Sequence, residues 1–155
     1  ILCESFFELE EIRLAVKAAC EATDLPVVAS MTFQARSGKV ATLMGASPQD
    51  LAAATEELGA AAIGANCGTG PEDYVHIARQ FRAVTDLPIW IKPNAGLPAV
   101  SPDGRTTFPM GPADFAALAP ALSEAGANFI GGCCGTTPEH VRALSRTIAS
   151  GNRQR

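Results

Sequence analysis

"AAAIGANCGTGPE" runs from Ala60 to Glu72, and "ANFIGGCCGTTPEH" runs from Ala127 to His140. Each has a short apolar run, then glycine and cysteine, a Gly-Thr turn, and a Pro-Glu pair that opens a helical pattern. A nearly continuous apolar run of this length reads as a parallel strand covered on both faces. Proline directly after the turn suits the first position of a helix, where no backbone N–H is needed. The two stretches therefore predict two strand-to-helix corners of the same kind. They place Cys67 at one strand end and the pair Cys133 and Cys134 at the other.

The same pattern extends outward in both directions. "ILCESFF" (Ile1 to Phe7), "PVVASMTF" (Pro26 to Phe33) and "LPIWIKPN" (Leu87 to Asn94) are further strand-like runs. Helical periodicity fills Glu8 to Thr23, Ser47 to Leu58, Pro71 to Thr85, Gly111 to Ala125 and Pro138 to Ala149. Ser47 before Pro48 and Thr137 before Pro138 read as N-caps. The exits "ATDLP", "AVTDLP", "ELGA" and "EAGA" return helix to strand, with glycine suited to the left-handed C-cap. Strand and helix thus alternate five times at a spacing of roughly thirty residues.

Right-handed βα repeats build either an open doubly wound sheet or part of an eight-stranded barrel. The open sheet calls for a G-x-G-x-x-G fingerprint, which is absent; "GTGPED" alone is ordinary strand-to-helix turn chemistry. The barrel gathers its chemistry at the carboxyl ends of several strands, which is where Glu4, Cys67, Asn94, Cys133 and Cys134 fall. A complete barrel takes about 250 residues, and this chain has 155. The expected fold is α/β, an incomplete (β/α)8 TIM barrel. Five consecutive βα units, counted as strands 4 to 8, form a curved parallel sheet in chain order. Residues 1–155 are then the carboxyl-terminal portion of a single barrel domain, and the start at Ile1, inside an apolar run and without Met, looks like a cut. Such a piece on its own is expected to expose its outer strands and to be poorly soluble.

Composition excludes several functions. A net charge of −4 without any basic run argues against nucleic acid, the terminal "NRQR" being too short to matter. No apolar stretch reaches the roughly 18 residues of a membrane span. Five cysteines, an odd number, lie mostly in apolar surroundings. That is unlike a secreted disulfide scaffold and suits ligands or nucleophiles in a reducing, cytoplasmic setting.

Cys3 and Cys20 read as small buried hydrophobes. Cys67, Cys133 and Cys134 are different, since the last strand of a barrel and the sixth are near neighbours across the mouth. Three thiolates converging from two strand ends make a zinc site with one position open, the arrangement of a catalytic rather than a structural zinc. Sulfur ligands favour zinc over magnesium or calcium. The vicinal pair has two other readings, a strained disulfide or an incidental pair.

"GANCGTGPE", "KPNAGLP" and "GGCCGTTPEHV", in this order and spacing, resemble the homocysteine S-methyltransferase family, and most of all the homocysteine-binding barrel of its cobalamin-dependent methionine synthases. The likeness runs from "CESF" to "TPEHVRAL". It implies zinc on Cys67, Cys133 and Cys134, and homocysteine as the methyl acceptor, with methionine as product. It implies that Asn94 sits beside the metal and fills the open position when substrate is absent; read alone, Asn94 is a turn or capping residue. It implies that Glu4 holds the amino group of homocysteine. The methyl donor is methylcobalamin on a separate module, S-methylmethionine or betaine; "PNAGLP" and the lack of a tryptophan-rich tail favour the first. No D-x-H-x-x-G cobalamin motif occurs in this chain. Outside the family, a non-catalytic zinc or thiol module and a thiol-redox barrel using Cys133 and Cys134 remain as alternatives.

Other residues read as structural. His76 and His140 fall one turn inside helices and suit surface or capping roles. Glu72 and Glu139 sit in first turns, where a carboxylate meets the positive end of the helix dipole. Trp90 reads as packing. Lys92, a charge near a strand end, is a neighbour for the substrate carboxylate. "AVSPDGRTTFPMGP" (Ala99 to Pro112) reads as a long loop with a small hairpin at its "PDG" turn, lying over the mouth.

Overall fold

The computed structural model describes residues 1–36 and 38–152. Its centre is a parallel sheet of β1 (Leu2–Phe6), β2 (Val28–Met31), β5 (Ala62–Asn66), β6 (Ile89–Lys92) and β9 (Phe129–Ile130), in that spatial order. The strands lie side by side in the order in which the chain makes them, as expected. Helices α1 (Leu9–Ala22), α2 (Pro48–Leu58), α3 (Pro71–Arg82) and α6 (Pro138–Asn152) follow their strands within three residues of the sequence boundaries.

Alternation sorts each strand between two faces. Ala29, Met31, Ile63, Ala65, Ile89 and Ile91 pack with Ile12, Val16, Leu51, Tyr74, Ile77 and Phe81 of the helices in one buried cluster. The opposite face carries Glu4, Ser30, Gly64, Asn66, Trp90 and Lys92. There Trp90 lies against its register partner Phe129, with ring centroids 5.1 Å apart, which bears out Trp90 as packing. Gly64 is required beside it, because a Cβ there would come within 1.9 Å of the Trp90 carbonyl oxygen.

The sheet is curved. Three strand spacings separate β1 from β6, about 14 Å in a flat sheet. Glu4 of β1 and Lys92 of β6 nonetheless meet, with Nζ 2.7 Å from the carboxylate. Only a concave face brings two side chains together across that width.

Ser47 caps α2 as expected, in a reciprocal capping box with Asp50, and Gly59 ends that helix in the left-handed conformation. Two expectations fail. The run Pro26 to Phe33 is not one strand, since Phe33 begins a hairpin of β3 (Phe33–Arg36) and β4 (Lys39–Thr42) that the sequence reading left out. The segment Gly111 to Ala125 is not one helix but α4 (Pro112–Ala117) and α5 (Ala119–Glu124), meeting at Leu118. Pro120 supplies the reason: it has no N–H to donate, and its ring crowds the carbonyl of Ala116. The long loop from Ala99 to Pro112 does contain a hairpin, β7 (Ala99–Val100) and β8 (Thr106–Thr107).

Candidate metal centre

At the carboxyl end of β5 the chain turns sharply. Cys67 adopts φ 65° and Gly68 φ 71°, and the Thr69 N–H donates to the Cys67 carbonyl at 2.8 Å. A left-handed conformation is costly for a residue with a Cβ and persists only where neighbours enforce it. Here the buried Tyr74 hydroxyl, one turn into α3, donates to the same Cys67 carbonyl at 2.7 Å. Burial, then the proximity of Cys67 and Cys133, holds the Tyr74 phenol well above its usual range, so it stays a neutral donor.

The turn after β6 fastens this corner to the next. Asn94 N–H donates to Thr69 O at 3.0 Å on one side, and Ala95 N–H to Cys134 O at 2.9 Å on the other. Cys133 N–H donates to Pro93 O at 2.8 Å, and Cys134 N–H to the Asn94 side-chain oxygen at 3.0 Å. Pro93 to Ala95 therefore stitches the two cysteine-bearing turns together. Asn94 is buried within that seam. It lies beside the cluster, and its side chain does what a turn-bracing residue does.

The sulfur atoms of Cys67, Cys133 and Cys134 all lie within 4.8 Å of one another, and those of Cys67 and Cys134 are 3.7 Å apart. Tetrahedral zinc with Zn–S bonds of about 2.3 Å spaces its sulfurs about 3.8 Å apart. The three residues fit such an ion. Without one they crowd: desolvation, the contact with Cys67 and the nearness of Cys133 push the Cys134 thiol up to about 11, although the residue itself is exposed. A divalent cation offsets that crowding of negative charge. Cys3 and Cys20 stand apart, packed against the core as small apolar residues, and burial raises the Cys3 thiol.

Asn66 is a site residue the sequence reading missed. It is fully buried on the concave face. Its oxygen accepts from the Ser30 hydroxyl at 2.8 Å and the Ser5 N–H at 3.0 Å. Its amide nitrogen donates to the Ser5 hydroxyl at 2.7 Å and reaches Cys133 Sγ at 3.8 Å. It thereby holds Ser5, which with Cys67 is one of two non-glycine residues with positive φ among the described residues, at 71°. The available signal was a carboxamide in an otherwise apolar strand, next to Cys67.

Glu4 lies in the middle of β1 rather than at its end, paired with Lys92. His140 is buried, not on the surface: its Nδ1 accepts from the Thr137 N–H at 3.1 Å, and its Nε2 is 3.0 Å from the Met110 carbonyl. The capping role holds, and it also ties the long loop to the start of α6. Glu139 is held below the usual carboxylate range, first by the Thr137 hydroxyl. No helix among the described residues is long and apolar enough to cross a membrane.

The chain is similar to known proteins over nearly all of its length. Methionine synthase of Mycobacterium leprae is 33% identical over 158 residues, which is 98% of this chain and 13% of that protein. The Mycobacterium tuberculosis methionine synthase is 33% identical over 156 residues, 97% of this chain and 13% of its own length. Homocysteine S-methyltransferase 1 of Zea mays is 41% identical over 93 residues, 57% of this chain and 28% of that protein. In fold, the chain resembles the apo form of the Escherichia coli homocysteine methyltransferase MmuM, with a TM-score of 0.73 at 24% identity, covering 94% of this chain and 49% of that one. The chain thus spans only part of the length of each. The family model for homocysteine S-methyltransferase matches residues 1–148, and the chain belongs to that family.

Proposed function

We propose that this chain carries the metal-binding side of a zinc-dependent methyl transfer to the thiol of homocysteine, giving methionine. The observation that carries the reading is the convergence of Cys67, Cys133 and Cys134 within 4.8 Å in a chain of this family. We read residues 1–155 as the carboxyl-terminal portion of one homocysteine-binding barrel, its strands being 4 to 8. The partial coverage of MmuM and the curved sheet support this.

In this mechanism Cys67, Cys133 and Cys134 would hold the ion as thiolates. A zinc ion held there would supply Lewis acidity that lowers the pKa of a substrate thiol from its ordinary value of about 8.5. The chain itself then needs no strong base at the sulfur. Tyr74 and the Pro93 to Ala95 seam fix the two turns, so the sulfurs converge without rearrangement. Asn94 has two lone pairs on its amide oxygen, one engaged by the Cys134 N–H; the second would be available to a bound ion in the absence of substrate. Glu4 receives the substrate ammonium. For the donor we favour methylcobalamin presented by a separate module, a choice supported by "PNAGLP" and by the two methionine synthases among the relatives. A reducing, cytoplasmic setting suits a site of unbridged cysteines.

X-ray absorption of the full natural protein, loaded with zinc, tests this reading. Adding homocysteine should replace an oxygen or nitrogen neighbour of zinc by a fourth sulfur. An unchanged three-sulfur spectrum, or the absence of stoichiometric zinc, refutes it in favour of a structural or redox use of the thiols.

A further inference from the structure

The end of the long loop, Phe108 to Met110, is pinned against the turns around the thiols. Phe108 lies so close to Gly135, the residue after Cys134, that a Cβ there would overlap its ring. Pro109 covers Gly96, where a Cβ would stand 2.8 Å from Pro109 Cγ. Met110 N–H donates to Ala95 O at 3.1 Å, and Ala95 N–H donates in turn to Cys134 O at 2.9 Å. Phe108 and Met110 also pack on a second small core around Ala95, Phe115 and Leu144.

His140 adds one more contact to this set. It is buried at the start of α6, edge-on to Phe115 with ring centroids 5.5 Å apart. Its Nδ1 reaches back to accept from the Thr137 N–H at 3.1 Å, as the third-position side chain of a capping box does. An accepting Nδ1 leaves the ring proton on Nε2. The Met110 carbonyl, 3.0 Å from Nε2, can only accept. One nitrogen therefore caps the helix, and the other clasps the loop.

The clasp closes a ring. From Cys134 the chain runs through Gly135 and Thr137 to His140. His140 holds Met110, Met110 holds Ala95, and Ala95 holds Cys134. A closed ring leaves the Cys134 backbone less freedom than the same contacts would in an open chain. Cys134 needs that restraint most, being the exposed one of the three cysteines. The Cys67 carbonyl is held by buried Tyr74, and Cys133 Sγ has Asn66 beside it.

We propose that His140 is a positioning residue for the metal centre, its Nε2–H closing the ring that keeps Cys134 Sγ beside Cys67 Sγ. It touches neither ion nor substrate and acts through Met110 and Ala95. This rests on the zinc reading above.

The test is rescue by one amide and not by the other, in the full natural protein. His140→Gln puts an amide N–H about where Nε2–H stands, and glutamine also suits the capping position. His140→Asn ends one bond short of Met110 and drops the clasp. Competition with a chromogenic chelator should show zinc held about tenfold or more weakly in His140→Asn and nearly unchanged in His140→Gln. With cobalt(II) in place of zinc, thiolate-to-metal charge-transfer absorption should weaken in His140→Asn and persist in His140→Gln. Ser47→Ala, which removes a cap from α2 instead, should lower stability in urea and leave zinc affinity unchanged. Phe108→Leu loosens the packing on Gly135 without touching α6 and should also weaken zinc. It serves as the second variant where His140→Asn does not fold. Equal zinc affinity in His140→Asn and His140→Gln, or a loss in Ser47→Ala matching that in His140→Asn, overturns the proposal and leaves the zinc reading intact. A wild type without stoichiometric zinc refutes that reading, and the proposal falls with it.

Discussion

Replacing Asn66 by alanine should cost far more than a single polar substitution on a strand usually does. The side chain makes three short hydrogen bonds, to Ser5 N, Ser5 Oγ and Ser30 Oγ, at 3.0, 2.7 and 2.8 Å. At about 1 kcal/mol each their loss removes about 3 kcal/mol, and an unpaired hydroxyl on fully buried Ser30 adds about 1 kcal/mol or more. Ser5 also loses both contacts that hold it at positive φ. The sum is about 3 to 5 kcal/mol. Ser30→Ala, by contrast, leaves Asn66 its Ser5 partners and should cost about 1 kcal/mol. Urea unfolding of the metal-free natural protein, with both single variants and the double, measures the two costs and their coupling. A cost below about 1 kcal/mol for Asn66→Ala would refute the claim that this network holds Ser5 in place.

Cys67→Ala, Cys133→Ala and Cys134→Ala should each abolish stoichiometric zinc, read by elemental analysis after dialysis; any one that keeps a full equivalent removes that residue from the ligand set. Gly64→Ala forces a Cβ into the Trp90 carbonyl and should lower stability by about 3 kcal/mol or prevent folding, visible as lost soluble yield. Ser47→Ala should cost about 1 kcal/mol at neutral pH through the lost cap. The Ser47 side chain, then its backbone, holds the Asp50 carboxyl below its usual value, so this stabilisation is present above the unfolded pKa of about 3.9 and lost as pH falls through the lower folded value. The gap between wild type and variant in urea midpoint should therefore narrow at pH 3.

The strands and their order were readable because the apolar runs recur with helices between them, and the cysteines stood out because their two corners repeat one another. What escaped was set by distant or local geometry that periodicity does not carry. Asn66 finds Ser5 across 61 residues, and Lys92 finds Glu4 across 88; neither spacing leaves a trace in the chain between. The β3–β4 hairpin hid because the apolar run continues past Thr32 into Phe33, so the strand seemed to go on where the backbone changes sheet. The break at Leu118 was visible in Pro120 and was overridden by the helical pattern around it. His140 looked peripheral from its place in α6, yet the long loop folds back to meet it.

The arrangement around β6 sets where length changes in this chain are tolerated. Its four residues alternate strictly, Ile89 and Ile91 into the helices, Trp90 and Lys92 onto the floor of the site. Side chains in a strand change face with every residue, so deleting one residue there would turn Trp90 and Lys92 toward the helices and strip the floor of both. The same slip would carry Pro93, Asn94 and Ala95 out of register with both cysteine turns at once. Insertions at the tip of the β7–β8 hairpin shift no such partner among the described residues. Length variation is therefore tolerated at such a hairpin tip and forbidden in the fourth parallel strand, which acts as the keel on which the cysteine-bearing turns are aligned.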